Sequence, residues 1–220
     1  MGWKAFVLFA TDQPPGYFGG FPPNDPQRAE HIRMQLGLTD YETVGATPLE
    51  EGLHPGKGEL FIAAPAGGVV LSHPDFIESF FMEKNSDELG PVPPHVEAFR
   101  KAVLGLYPSG QVLAIMLHSV VNLWGYSLFS EGRLVRCASG SADDGVIADF
   151  GEPLPEEQPL LAENELNDEI GEDLVFAVAA RFLGKPVDRF SEGLNLGMTA
   201  YRKKGPTVRG WWAGLTGRKP

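Results

Sequence analysis

The stretch from Trp124 to Ser139 constrains the fold more than any other part of this 220-residue chain. Trp124, Tyr126 and Leu128 alternate with small or polar residues, and Leu134, Arg136 and Ala138 repeat the pattern after Ser130-Glu131-Gly132-Arg133. A period of two sends alternate side chains to opposite faces of an extended chain, and a short Gly-containing break joins two such runs into a hairpin. An antiparallel pair therefore stands in the middle of the chain, and every other element must be compatible with it.

The hydropathy pattern predicts those other elements. Residues 3–11 and 111–117 are apolar runs of strand length, and residues 59–64 and 68–72 flank Pro65-Ala66-Gly67 as a second hairpin. Residues 42–47 and 196–201 are weaker strand candidates. Asp25 followed by Pro26 reads as an N-cap with proline at the first helical position, opening a helix to about Leu36 with Ala29, Ile32 and Leu36 on one face. Further helices are expected over residues 75–82, over 94–107 with Val96, Phe99 and Val103 inward, and over 169–183 with Leu174, Val178 and Phe182 inward. Residues 12–24 and 84–94 read as loops. Residues 141–173, broken by Pro153, Pro155 and Pro159, read as largely irregular. Strands come in runs rather than in strict alternation with helices. The expected class is α+β, with one mainly antiparallel or mixed sheet flanked by about four helices. A single domain over residues 1–200 would carry a tail at 201–220.

Charge is distributed unevenly. The chain carries a net −11, yet residues 201–220 hold six cations and no acid, which leaves 12 basic and 29 acidic residues in the body, a net of −17. Twelve of those acids fall between residues 141 and 173, where there is no Lys or Arg. Such a body repels nucleic-acid phosphates. The tail interleaves Trp211 and Trp212 with its cations, a combination that suits an anionic membrane or RNA. The nearest concentrated anion is the protein's own acidic segment, so docking of the tail on that face is the expected arrangement. The single cysteine, Cys137, rules out an internal disulfide framework and fits a reducing compartment. The first twelve residues lack a basic run and a small-residue cleavage pattern, and no apolar stretch reaches the roughly 20 residues of a membrane span, so the expectation is a cytoplasmic protein.

His118-Ser119-Val120-Val121, then Trp124 and Tyr126, then residues 131–136 and the run from Gly145 to Gly151-Glu152-Pro153-Leu154-Pro155 together resemble a bacterial, actinobacteria-type family of unknown function. Its members also begin with Met-Gly and a strand. The resemblance covers residues 1–12 and 111–160, implies a bacterial cytoplasmic origin, and carries no activity with it.

Candidate chemistry centres on His118 and Ser119, a base and a nucleophile at the end of a strand. Neighbouring strand residues face opposite ways, so a catalytic arrangement would need a carboxylate from Asp143, Asp144 or Asp149 in the following loop. Asp143, Asp144, Asp149 and Glu152 lack the spacing of a calcium loop, and His31, His54, His73, His95 and His118 lack the helical spacing of a metal pair, so no metal or cofactor is expected. The leading expectation is a non-enzymatic protein that contacts another protein through its acidic face, with Trp124, Asp149, Glu152, Trp211 and Trp212 as binding residues. Immunity-type inhibitors of basic toxins are the analogy. The alternative is a small hydrolase built on His118 and Ser119.

Overall fold

The computed structural model describes residues 4–81, 94–185 and 195–205. Nine strands form one sheet: β1 (Lys4–Thr11), β2 (Tyr41–Pro48), β3 (Glu59–Ala63), β4 (Gly68–Ser72), β5 (Gln111–His118), β6 (Leu123–Ser130), β7 (Arg133–Ser141), β8 (Gly145–Phe150) and β9 (Gly197–Lys203). Their spatial order is β2-β9-β3-β4-β1-β5-β6-β7-β8, and every pairing is antiparallel. The helices are α1 (Pro26–Gln35), α2 (Leu49–Gly52), α3 (Pro74–Ile77), α4 (Pro94–Leu104), α5 (Gln158–Leu161) and α6 (Gly171–Leu183).

This corrects the α+β expectation of a mainly antiparallel or mixed sheet with about four helices. The sheet is wholly antiparallel and dominates the molecule, and the helices among the described residues number six, three of them single turns of four residues. Two local features misled the pattern. Residues 145–150, expected to be irregular as part of the acidic stretch, form β8. The turns at α2 and α5 are too short to show a helical period.

Both faces of the sheet are covered. On β1, Ala5, Val7 and Phe9 join a core with Leu174, Val178 and Phe182 of α6. The intervening Phe6, Leu8 and Ala10 join a second core with Ala29 and Ile32 of α1, Ile77 of α3, and Phe99 and Val103 of α4. A strand buried on both sides loses its polar alternation, which is why β1 and β5 read as continuous apolar runs. Burying each large side chain of α6 contributes about 2 kcal/mol. Asp25 caps α1 as expected, its carboxylate accepting from the backbone N–H groups of Gln27 and Arg28 at 2.9 and 3.1 Å.

The central hairpin turns at Glu131 (φ 51°) and Gly132 (φ 72°). Two consecutive left-handed residues make a type I′ turn, whose twist matches the flanking strands. The Glu131 N–H also donates to the Gly110 carbonyl at 2.9 Å, fixing the turn against the start of β5. At the other end of β6, Trp124 is fully buried between β7 and α6. A Cβ on Gly171, the first residue of α6, would lie 2.3 Å from the Trp124 ring, and one on Gly140 would lie 2.8 Å from it. Only glycine lets the helix start this close to the indole.

β9 runs to Lys203, so the first cations of the basic stretch belong to the sheet or adjoin it. Arg202 pairs with Glu59 at 3.4 Å and Lys203 with Asp40 at 3.3 Å, both far across the sheet from residues 141–173. Trp211 and Trp212 lie outside the described residues, as does the predicted loop up to residue 93.

Candidate functional site

His118 ends β5 between Lys4 of β1 and Leu123 of β6. Leu117 belongs to the core under α6 and Met116 to the opposite one, so the strand sends His118 away from α6. Ser119 opens a short 3₁₀ turn and points the other way, its hydroxyl donating to Glu172 Oε2 of α6 at 2.6 Å. Asn122, at the end of that turn with φ 47°, donates its amide to the Asp168 carbonyl and carboxylate at 3.4 and 3.3 Å. The β5–β6 turn is therefore pinned to the segment that leads into α6, and it holds Val120 and Val121 out in solvent.

The carboxylates named with His118 go elsewhere. Asp143 and Asp144 lie in the exposed β7–β8 turn, where the Ser141 hydroxyl and Asp144 Oδ2 are 3.0 Å apart. Among the described residues no hydrogen bond joins His118 to Asp143, Asp144 or Asp149, and no three His, Cys, Asp or Glu side chains gather as a metal site. A small apolar cavity of about 30 Å³ lies between α6 and β1/β5, lined by Ala5, Val7, Leu117, Val175 and Ala179 among others. It has no polar group to orient a substrate.

Asp149 is part of a buried charged cluster that the sequence did not announce. Arg136 on β7 and Glu157 between β8 and α5 are almost fully buried. The Arg136 Nη2 donates to Glu157 Oε1 at 2.9 Å and its Nη1 to Asp149 Oδ1 at 2.5 Å, while the carbonyls of Phe150 and Gly151 accept from the same Nη1 at 3.1 Å. The Tyr126 hydroxyl donates to Glu157 Oε1 at 2.5 Å, and the Leu154 N–H to Glu157 Oε2 at 2.7 Å. Burial opposes the charge on Arg136, but its hydrogen bonds to Glu157 and Asp149 outweigh that and hold the guanidinium protonated. Burial, then the bond to Glu157, pushes the Tyr126 phenol well above its ordinary range, so it stays a donor. Every group in the cluster has a partner, which makes it a clamp holding the turn at residues 150–157 onto the sheet.

What that clamp positions is β8, an edge strand of the sheet. Val146, Ile147 and Phe150 are 41%, 57% and 47% exposed, and Val135 on the neighbouring strand is 41% exposed. Asp143 and Asp144 precede the strand and Glu152 follows it, all exposed. The register shifts at Ile147, which has no opposite number on β7, so the bulge turns its side chain out of the regular ladder. The opposite edge, β2, is blunted by its own register shift near Gly45 and by Pro48 at its end. Of the binding residues expected from sequence, Asp149 and Glu152 lie on the β8 edge, whereas Trp124 is 0% exposed and offers no surface. Asp144-Gly145 followed by Val-Ile was the signal for β8, since Asp-Gly before β-branched residues marks a hairpin.

Fold and surface together define a sheet-dominated, helix-covered protein whose acidic edge strand carries unburied apolar side chains. Residues 4–180 match the model of a family of unknown function, DUF6928, and the chain belongs to that family. No curated protein and no solved structure matches it. Among the described residues, no helix is long and apolar enough to cross a membrane.

Proposed function

We propose that this is a bacterial cytoplasmic binding protein that works without catalysis, by holding another protein on the β7–β8 edge and the acidic segment beside it. The observation that carries this reading is the edge itself: four large apolar side chains exposed on two adjacent strands, clamped in place by a buried arginine. Scattered exposed hydrophobics are ordinary, but a group on one edge bordered by charge is the form of a docking site. Residues Ser119 and Asn122 support the same reading, because their hydrogen bonds stiffen a turn rather than aim a nucleophile. That the chain has a single cysteine, the buried Cys137, supports a reducing compartment. In the same reading the basic residues beyond Lys204 remain a second contact, to the protein's own acidic face or to a partner.

The test uses the full-length tagged protein as bait in native lysate. The double variant Ile147→Lys, Phe150→Lys should lose at least tenfold of the bound partner. Met34→Lys, an equally exposed apolar residue on α1, should lose none. Unchanged capture by the double variant refutes the proposed face.

A further inference from the structure

The edge also restricts what it holds. Resting on the binding role just given, we propose that the occupant is an extended segment of a partner protein with apolar residues bracketed at both ends by Lys or Arg.

Three observations lead there. First, the exposed apolar side chains stand on both faces of the edge. Val146 sits opposite Gly140, on the face of β7 that carries Ala138 and Arg136, while Phe150 sits opposite Cys137 and faces the other way; Ile147 projects from the bulge. A flat surface could cover one face only. A chain laid along the edge reaches both, because its own side chains alternate. Second, the fixed charges bracket the strand. Asp143 and Asp144 stand before it and Glu152 after it, and no Lys or Arg lies between residues 141 and 173 to neutralise them. β8 has six residues, so the two acidic ends are about 20 Å apart, which sets the spacing of the cations. Asp149 is already engaged by Arg136, so it adds little to this demand. Third, a second copy of this chain is a poor occupant. Pairing β8 with β8 would bring Asp143, Asp144 and Glu152 of one copy against the same acids of the other, a like-charge contact that a cation-ended segment avoids.

The test is fluorescence anisotropy with the full chain and a labelled peptide of about seven residues, valine and isoleucine in the centre with a lysine at each end, about 20 Å apart and long enough to span the strand. The lysine-ended peptide should bind at least tenfold more tightly than one with glutamates in place of the lysines. The difference should shrink as salt rises from about 50 to about 300 mM, because exposed charges are screened. Ile147→Lys with Phe150→Lys should weaken the lysine-ended peptide at least tenfold, and Met34→Lys should leave it unchanged. Equal affinity for the two peptides, or no binding of either at about 1 mM, the strength of a bare −4 kcal/mol contact, overturns the proposal. So does self-association in sedimentation that Ile147→Lys abolishes. If lysate capture depends on Ile147 and Phe150 while the lysine-ended peptide fails, the binding role stands and this partner class falls. If capture is indifferent to both residues, the binding role itself falls.

Discussion

Stability should depend on pH through one histidine. His73, at the junction of β4 and α3, is 2% exposed. Its Nδ1 accepts from the Asp75 N–H at 3.2 Å, which leaves the proton on Nε2, 2.6 Å from the Tyr41 hydroxyl. Burial, partly offset by Asp75 and with a further downward push from Lys203, lowers the imidazole from 6.5 to about 4. The unfolded chain therefore binds a proton at higher pH than the native one does. The neutral ring's contribution is complete above pH 6.5 and is lost as pH falls toward 4. A gap of about 2.5 units corresponds to about 3 kcal/mol, a large part of a typical domain's stability. The 29 acids also titrate in this range, so the measurement is a difference. Urea unfolding of the parent and of His73→Gln, which keeps a donor to Tyr41 but has no proton to gain, is followed from pH 7.5 to pH 4. The advantage of the parent over the variant should shrink by about 3 kcal/mol across that interval. A pH-independent difference would refute the assignment of a buried neutral imidazole.

Two further outcomes test the clamp and the helix start. Arg136→Met leaves Glu157 buried without its ion-pair partner and should cost about 3–5 kcal/mol, whereas the double change Arg136→Met, Glu157→Met should cost less than the sum of the singles in denaturant unfolding. Gly171→Ala forces a methyl into the Trp124 ring and should cost about 1–3 kcal/mol, with a change in tryptophan fluorescence or near-UV dichroism that a surface substitution such as Asp173→Ala does not produce.

The elements with a strong local signal were legible in the sequence. The Trp124–Ser139 alternation, the capped helix after Asp25 and the run through Leu174, Val178 and Phe182 each carry their own period, and each appears where that period put it. β8 carried a weak signal within residues 141–173, the Asp144-Gly145 turn before Val146 and Ile147, which the acids on either side outweighed. Local pattern also could not supply the pairing of strands distant in sequence. Nothing near Tyr41 says that it lies beside Lys203, and nothing near Arg136 says that Glu157 will meet it. The candidate site shows the same division. That His118 and Ser119 face opposite ways follows from strand geometry alone, whereas nothing near Ser119 says that its hydroxyl will meet Glu172. The apolar edge was missed because exposure is a property of the assembled sheet: Val146 and Phe150 lie in a stretch read as irregular, and only the strand order shows β8 with a strand neighbour on one side among the described residues.

The place of β9 has a consequence for how the protein is made. Among the described residues β2 pairs only with β9, and β3 has β9 as its neighbour on that side, so residues near the end of the chain close a sheet begun near its start. On the ribosome, β2 emerges early and waits for residues 197–203, a delay on the order of ten seconds at ordinary elongation rates. Until then its backbone donors and acceptors have no sheet partner, and the growing chain exposes a strand that any neighbouring nascent chain could pair with. The family match stops at residue 180, before this strand. A polypeptide cut at that boundary would keep the β8 edge and lose the strand that joins β2 to β3. Among the described residues, the last strand in chain order is the one that completes the sheet.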